Sequence, residues 1–276
     1  MEQADNERTT RLVQIGETDP LGRQAIERLL AGGACASAIY YELADSTNSL
    51  ALRESPTADN LPRLTVADRQ AAGRGRLGRP WYADSGTLTF SIRLSLPWLS
   101  AEQRCWIALA AGMGVADAAA HQIAPVQPAI KWPNDVYIAD KKVAGLLVEA
   151  NNHAAVETVI GVGLNVTTDL SLAPPDVQTR ATSLHLVTTG CPSRYAILPT
   201  VVQQLLERLQ QLEQDPAGLL NDFRRRCYLT GRSVRIAQPN RVIAGRVIGV
   251  QDDGSLAVAT ESGVESIHAG EIQVNR

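Results

Sequence analysis

Cysteine is scarce in this chain of 276 residues: Cys35, Cys105, Cys191 and Cys227 stand singly, with no CxxC pair and no histidine at metal-ligand spacing. That argues against a disulfide framework or a zinc site and for buried small hydrophobes. Long apolar runs are lacking as well. The longest, Trp106 to Ala116, falls short of the roughly 20 residues that a membrane-spanning helix needs. The opening MEQADNERTTR is polar, of mixed charge, and lacks the apolar segment of a secretory signal, so a cytoplasmic protein is expected. Excess charge of either sign is missing. The formal net charge is −3, too small for coating nucleic acid or an anionic membrane. Lysine is rarest of all, with 23 arginines among the 26 positive side chains. All three lysines, Lys131, Lys141 and Lys142, fall in one short segment. A compact point charge suits some sites where a planar guanidinium does not, although adjacency alone explains such a cluster equally well.

What remains is ordinary globular material. With 45% hydrophobic and 20% charged residues, the chain can bury a large core and is not disordered. Residues 1–20 read as a polar leader. Ala25–Leu30 begins a helical pattern stopped by Gly32-Gly33, and Ser37–Leu43 is strand-like. Asp45-Ser46-Thr47-Asn48 supplies capping residues for a helix through Leu50–Arg53. Strands are expected at Leu64–Asp68 and Thr87–Leu96, with the loop AAGRGRLGRPWYADSG between them. Ala101–Ile123 is apolar around its circumference, as in a helix buried on most sides. Strand-like runs follow at Ala129–Ile138, Lys142–Ala150 and Val156–Val166, the last two apolar enough for strands covered on both faces. Ala173–Asp176 marks a loop, and Arg194–Gln214 and Pro216–Cys227 read as amphipathic helices. From about Gly231 the period changes to two, with a hairpin signal at Asp253-Gly254. The expected architecture is α+β. It comprises the leader (1–20), a mixed-sheet body (21–228) and a small β module of barrel size (229–276).

Four segments could carry chemistry. GRGRLG at Gly73–Gly78 matches a dinucleotide fingerprint, but it runs into Arg79-Pro80-Trp81 instead of opening a helix. It reads better as an anion clamp, in which Arg74, Arg76 and Arg79 converge on phosphate while glycines leave N–H groups free. Alone, it reads as readily as a solvated basic loop or a nucleic-acid patch. KWPND at Lys131–Asp135 places polar groups, Asn134 among them, at a strand end, where α/β folds bind ligands. In KVAGLLVE, Lys142 opens an apolar strand and must face an anion or carbonyls, while Gly145 leaves room for something to approach. In GVGLN, Gly161 and Gly163 imply close backbone contact with a ligand, and Asn165 can read an amide or base edge.

In order and spacing, DSTN, QAAGRGRLGRPW, KWPNDVYI, KKVAGLLVE and GVGLN together resemble the biotin–protein ligases. The resemblance extends over roughly residues 20 to 276 and includes Ala181-Thr182-Ser183-Leu184. It implies a class II synthetase-like catalytic domain followed by an SH3-like β-barrel. It also implies ATP and biotin as substrates with Mg²⁺, an adenylate intermediate, and a biotin carboxyl carrier protein as partner. A weak homodimer is compatible with it; nucleic acid and membrane are not expected partners. Lys142 matches the catalytic lysine, Arg76 a loop arginine at the phosphate and carboxylate, and Asp135 a carboxylate near the incoming carrier lysine. Ser46, Thr47, Asn48, Gln70, Gly73, Arg74, Gly75, Arg76, Lys142, Gly145 and Gly161 match the biotin pocket. Arg74, Arg76, Trp81, Lys131, Asn134, Lys142 and Asn165 match the nucleotide side, and no protein metal ligands are implied.

The match has departures. Ala71 and Ala72 replace a pair that is commonly polar–small, and Leu77 stands where many members carry arginine. Only 45 residues precede Ser46, which predicts a monofunctional enzyme without a DNA-binding domain. The nearest rival is a lipoate ligase or octanoyltransferase. A nucleic-acid-binding regulator is the rival of another class, disfavoured by the negative net charge and the lack of an aromatic stacking platform.

Overall fold

The computed structural model describes residues 12–54, 57–100, 102–150 and 157–275. An eight-stranded sheet runs in the order β1-β2-β3-β4-β8-β7-β6-β5. Its strands are β1 (Leu12–Ile15), β2 (Ser37–Ala44), β3 (Arg63–Gln70), β4 (Thr87–Ser95), β5 (Ala129–Lys131), β6 (Asp135–Ile138), β7 (Lys141–Ala150) and β8 (Glu157–Asn165). The first three are parallel and the later pairings antiparallel. Strand β4, TLTFSIRLS, shows how the sequence divides the two faces. Leu88, Phe90, Ile92 and Leu94 enter the apolar core, while Thr87, Thr89, Ser91 and Arg93 take the other side.

The helices are α1 (Pro20–Ala31), α2 (Thr47–Arg53), α3 (Trp106–Ile123), α4 (Pro175–Arg180), α5 (Arg194–Gln214) and α6 (Pro216–Arg226). Helices α1, α3 and α5 cover the apolar face, with α5 packed against both of the others. Helix α3 is apolar all round because it lies between the sheet and α5. Helix α1 begins at the Asp19 cap, whose carboxylate accepts from the Leu21 N–H at 2.8 Å, and stops at Gly32. Helix α2 sits on the polar face, against β3, β4 and β8.

The tail forms a five-stranded antiparallel sheet, ordered β12-β11-β10-β9-β13. Its strands are β9 (Ser233–Gln238), β10 (Arg241–Val250), β11 (Leu256–Thr260), β12 (Gly263–Ile267) and β13 (Glu271–Val274). Two indoles fasten it to the body: Trp106 donates to the Asp253 carbonyl at 2.9 Å and Trp132 to that of Gly254 at 3.0 Å. Both carbonyls belong to the Asp253-Gly254 turn, where Gly254 has φ +82°.

Several expectations need correction. Residues 1–11 of the expected leader lie outside the described residues, but the next segment is built into the fold, since Leu12–Ile15 pairs with β2. The run Ala129–Ile138 is a hairpin rather than one strand, because Pro133 breaks it at a cis Trp132–Pro133 peptide. The tail is the small β module expected, and among the described residues its pairings run from β12 to β13 without a closing β12–β13 pair. Of the cysteines only Cys35 is buried, and Cys105 is exposed. Strand β8 is buried along both faces as expected, whereas β7 is only half-buried on the face that carries Lys142, Gly145 and Leu147. The expected loop after Ala173 turns at once into α4.

Candidate active site

A cleft of about 890 Å³ opens over the polar face of the sheet and reaches from α2 to β13 of the tail. One end of it is built by the first turn of α2, which starts at Ser46. The Thr47 N–H there has no helical partner, and Gln70, at the end of β3, accepts it through Oε1 at 2.8 Å. That contact turns the Gln70 amide nitrogen away from the helix, toward the position a side chain at Gly73 would take. Asn48, 3% exposed, lies flat on Gly161, where a Cβ would stand 2.1 Å from its Oδ1.

In the middle of the floor, Gly145 of β7 pairs with Gly163 of β8. The bare backbone admits the Trp81 indole, whose Cε2 would be 2.4 Å from a Cβ at Gly163 and whose Cζ3 would be 3.0 Å from one at Gly145. The buried Trp81 Nε1 has no hydrogen-bond partner among the described residues. Lys142 Nζ stands 5.2 Å over the same ring and 2.7 Å from Asp135 Oδ1. A β-bulge brings Lys142 there. One step of β6, Val136 to Tyr137, spans two steps of β7, Ala144 to Lys142. Val143 and Ala144 therefore both enter the core, and Lys142 shares the cleft face with Gly145.

The arginine loop arches over this floor as a short hairpin. Trp81 N–H donates to the Gly73 carbonyl at 2.8 Å and Gly75 N–H to that of Arg79 at 2.7 Å. The Gly75 N–H is thus occupied and not free for an anion, contrary to the nest expected from the glycines. At the tip, Leu77 takes φ +57°. Arg74 is paired with Glu149 at 3.0 Å, Arg76 Nη1 donates to Asn134 Oδ1 at 3.2 Å, and Arg79 pairs with Glu271 of β13. Arg79 therefore fastens the loop to the tail instead of joining its two neighbours in one clamp. Burial lowers the Arg76 pKa, and Asp135 opposes the shift.

At the far end Lys131 donates weakly to the Tyr137 hydroxyl, 3.4 Å away, with no carboxylate in ion-pair range among the described residues. Burial lowers its pKa, and Asp135 again opposes. Asn165 lines the cleft with its amide already engaged: Nδ2 donates to the Thr182 carbonyl at 3.0 Å, and Oδ1 accepts from Thr168 at 3.5 Å. The cleft brings together every expected site residue except Gly73, which lies beneath the loop. It also recruits residues that motif reading passed over, namely Tyr137, Arg180, Tyr228 and the β13 segment. Only the lone aromatics and the basic residue before Ala181-Thr182-Ser183 could have signalled them.

The arrangement offers amide and hydroxyl groups at one end, cations at the other, and a carboxylate–ammonium pair at their junction. This suits a ligand with a polar uncharged head, a reacting centre of developing negative charge and a polyanionic tail. The Biotin/lipoate A/B protein ligase family matches residues 40–165, and the Biotin protein ligase C terminal domain matches residues 229–274. A biotin--[acetyl-CoA-carboxylase] ligase of Mycobacterium tuberculosis is 33% identical over 232 residues, covering 82% of this chain and 85% of that protein. One of Paracoccus denitrificans is 29% identical, covering 83% and 96%. The solved biotin protein ligase of Aquifex aeolicus in complex with biotin and ATP superposes with a TM-score of 0.76 at 29% identity, covering 87% and 98%.

Proposed function

The chain belongs to the biotin–protein ligase family, and from that premise we propose that it joins biotin and ATP into biotinyl-5′-adenylate and passes the biotinyl group to one lysine of a biotin carboxyl carrier protein. It is a ligase, with biotin and ATP as substrates. The observation that carries the fuller reading is the convergence of Lys142, Asp135 and Arg76 between the hydroxyl–amide pocket and the cationic end of one cleft.

The chemistry follows from charge. Biotin's carboxylate must attack an α-phosphate that is itself anionic, and two unit charges about 4 Å apart repel by about 4 kcal/mol at an effective dielectric near 20. Lys142 supplies a cation between the two groups and stabilises the pentavalent centre as pyrophosphate leaves. Arg76, half-buried at Asn134, adds a second positive group from the loop side. In the transfer step the carrier lysine enters beside Asp135, which orients its ammonium and accepts its proton as the amine attacks the mixed anhydride; AMP departs. Gln70 Nε2 is placed to donate to the ureido carbonyl. The loop covers the adenylate and keeps water from hydrolysing it. We further propose that the catalytic part takes in β1 and runs to residue 228, with 229–276 a separate β module at the cleft's open end.

Mg²⁺ accompanies ATP in the expected reaction, and it favours phosphates and water with one or two carboxylates. Among the described residues no group of three or more His, Cys, Asp or Glu stands together, and Asp135 is engaged by Lys142. The residues present do not form a resident cage, and no step is routed through the ion. A lipoyl or octanoyl substrate is the second reading. The match to a biotin ligase C-terminal domain supports biotin over it.

The test is direct. Protein incubated with ATP, Mg²⁺, biotin and a biotin carrier domain should add one biotinyl mass to one carrier lysine. Lipoate in place of biotin should give no product. An unmodified carrier, with no biotin-dependent exchange of pyrophosphate into ATP, would overturn the proposal.

A further inference from the structure

Where the arginine loop ends, Asp84 is bonded to two chain segments at once. Its Oδ1 accepts from the Gly86 N–H at 2.8 Å and from the Thr87 hydroxyl at 3.2 Å, at the start of β4. Its Oδ2 accepts from the Asp169 N–H at 2.7 Å, in the segment that leaves β8. The two segments meet there backbone to backbone. Thr167 N–H donates to the Gly86 carbonyl at 3.0 Å, and a Cβ at Gly86 would stand 2.4 Å from the Thr167 carbonyl carbon. Tyr82 adds a second tie from the loop side, its hydroxyl donating to the Asp169 carbonyl at 3.2 Å. Asp169 starts the next turn, with its own carboxylate accepting from the Ser171 N–H at 2.9 Å.

Beyond this junction, residues 170–181, α4 included, form one wall of the cleft, to which Leu170, Val177, Arg180 and Ala181 contribute. The wall packs on a small apolar cluster of Leu170, Ala173, Ala181, Tyr82 and Val177, separate from the main core. So small a cluster holds its segment weakly, and polar ties then decide where the segment stands. The far end is tied at Thr182, whose N–H donates to the Lys142 carbonyl at 2.8 Å. Asp84 and Tyr82 tie the near end, and neither Asp84 nor Asp169 lines the cleft.

We infer that Asp84 is a positioning residue that, through the Asp169 N–H, sets the wall at the nucleotide end of the cleft against the arginine loop. A carboxylate suits this task because its two oxygens accept from both segments together. The inference rests on the ligase reading and adds to it a residue that governs ATP affinity without touching ATP.

Biotin-dependent exchange of pyrophosphate into ATP by the full chain, with biotin binding measured separately by calorimetry, tests the clasp. Asp84→Ser keeps an acceptor for the Gly86 N–H, since serine supports the same local turn, but has no second oxygen for Asp169. Its KM for ATP should rise about tenfold with kcat within about threefold of wild type, the pattern of lost binding and not of lost chemistry. Its biotin dissociation constant should stay within about twofold, because the α2 end of the cleft is untouched. Tyr82→Phe leaves the ring in the cluster and removes only the tie to the Asp169 carbonyl, so the KM for ATP should rise about threefold. An unchanged KM for ATP in Asp84→Ser overturns the inference, as does an equal weakening of biotin, which would mark a general loss of structure. Should serine at 84 prevent folding, an unchanged KM in Tyr82→Phe overturns it as well. Wild-type protein without biotin binding or exchange overturns the ligase reading itself, whereas wild-type exchange with unaltered variants overturns only the clasp.

Discussion

Replacing Lys142 with alanine removes the one ammonium that stands at the junction of the acyl and nucleotide ends of the cleft. The change has two parts. The attack loses a cation worth about 4 kcal/mol at 4 Å and an effective dielectric near 20. With 1.36 kcal/mol for each factor of ten, adenylation should slow by about 10³. In addition Asp135, only 22% exposed and 2.7 Å from the lost ammonium, is left facing the incoming phosphates with its charge uncompensated. Neutralising it as well, in Lys142→Ala with Asp135→Asn, should therefore recover about tenfold of the adenylation rate while leaving transfer to the carrier impaired. The assay is biotin-dependent exchange of radiolabelled pyrophosphate into ATP, with thermal unfolding as a check on the fold. A partly exposed pair contributes little to stability, so the unfolding midpoint should barely move. Exchange within tenfold of wild type in the single variant would remove Lys142 from the chemistry. A double variant slower than the single would show that Asp135 is not the source of the added repulsion.

Gly163→Ala places a methyl where the Trp81 indole now lies, 2.4 Å from Cε2. It should cost about 1–3 kcal/mol in chemical unfolding and weaken ATP binding, and unchanged affinity would show that the indole is not seated on the floor in solution. Burial raises the Cys35 thiol pKa from 9.0 to about 12. Its stabilising effect is whole below pH 9, where both states are protonated, and is lost as pH rises because the unfolded thiol ionises first. At pH 10 the loss is about 1.4 kcal/mol, so Cys35→Ala should flatten the stability–pH curve between pH 9 and 12; an unaltered slope refutes the assignment. Trp132→Phe deletes the indole donor to the Gly254 carbonyl and should lower stability by about 1 kcal/mol while quickening proteolysis of the tail. Protease resistance equal to wild type would mean the other indole suffices.

Much of this was legible because the relevant signals are local. Alternation in TLTFSIRLS, the Gly32 stop of α1, the Ser46 start of α2 and the period change near Gly231 each report short-range geometry that the chain obeys, whereas the Asp19 cap of α1 falls in what reads as leader. Glycines in the central strands announced close approach by a ligand, whereas the occupants are Asn48 and Trp81 of the protein itself. Tertiary pairing was harder to see. Nothing around Leu12–Ile15 says that it will find β2, since an edge strand with Val13 and Ile15 exposed lacks a clear apolar face. Arg79 looked equivalent to Arg74 and Arg76, and only its distant partner Glu271 separates them. Glu149 reads as the end of an apolar strand, because the partners of its carboxylate, Asn48 and Arg74, lie far back in the chain.

The irregular step in β7 makes the placement of one amine a matter of parity. Straighten the bulge with Val143 in place and every chemical group of the motif survives, yet the strict two-residue rhythm returns over a three-residue step and Lys142 turns to the side packed by α3. A cation there has no anion to meet. Comparing such enzymes by residue identity alone therefore misses the quantity that matters, which is whether a bulge takes up the odd step between this lysine and the glycine at 145.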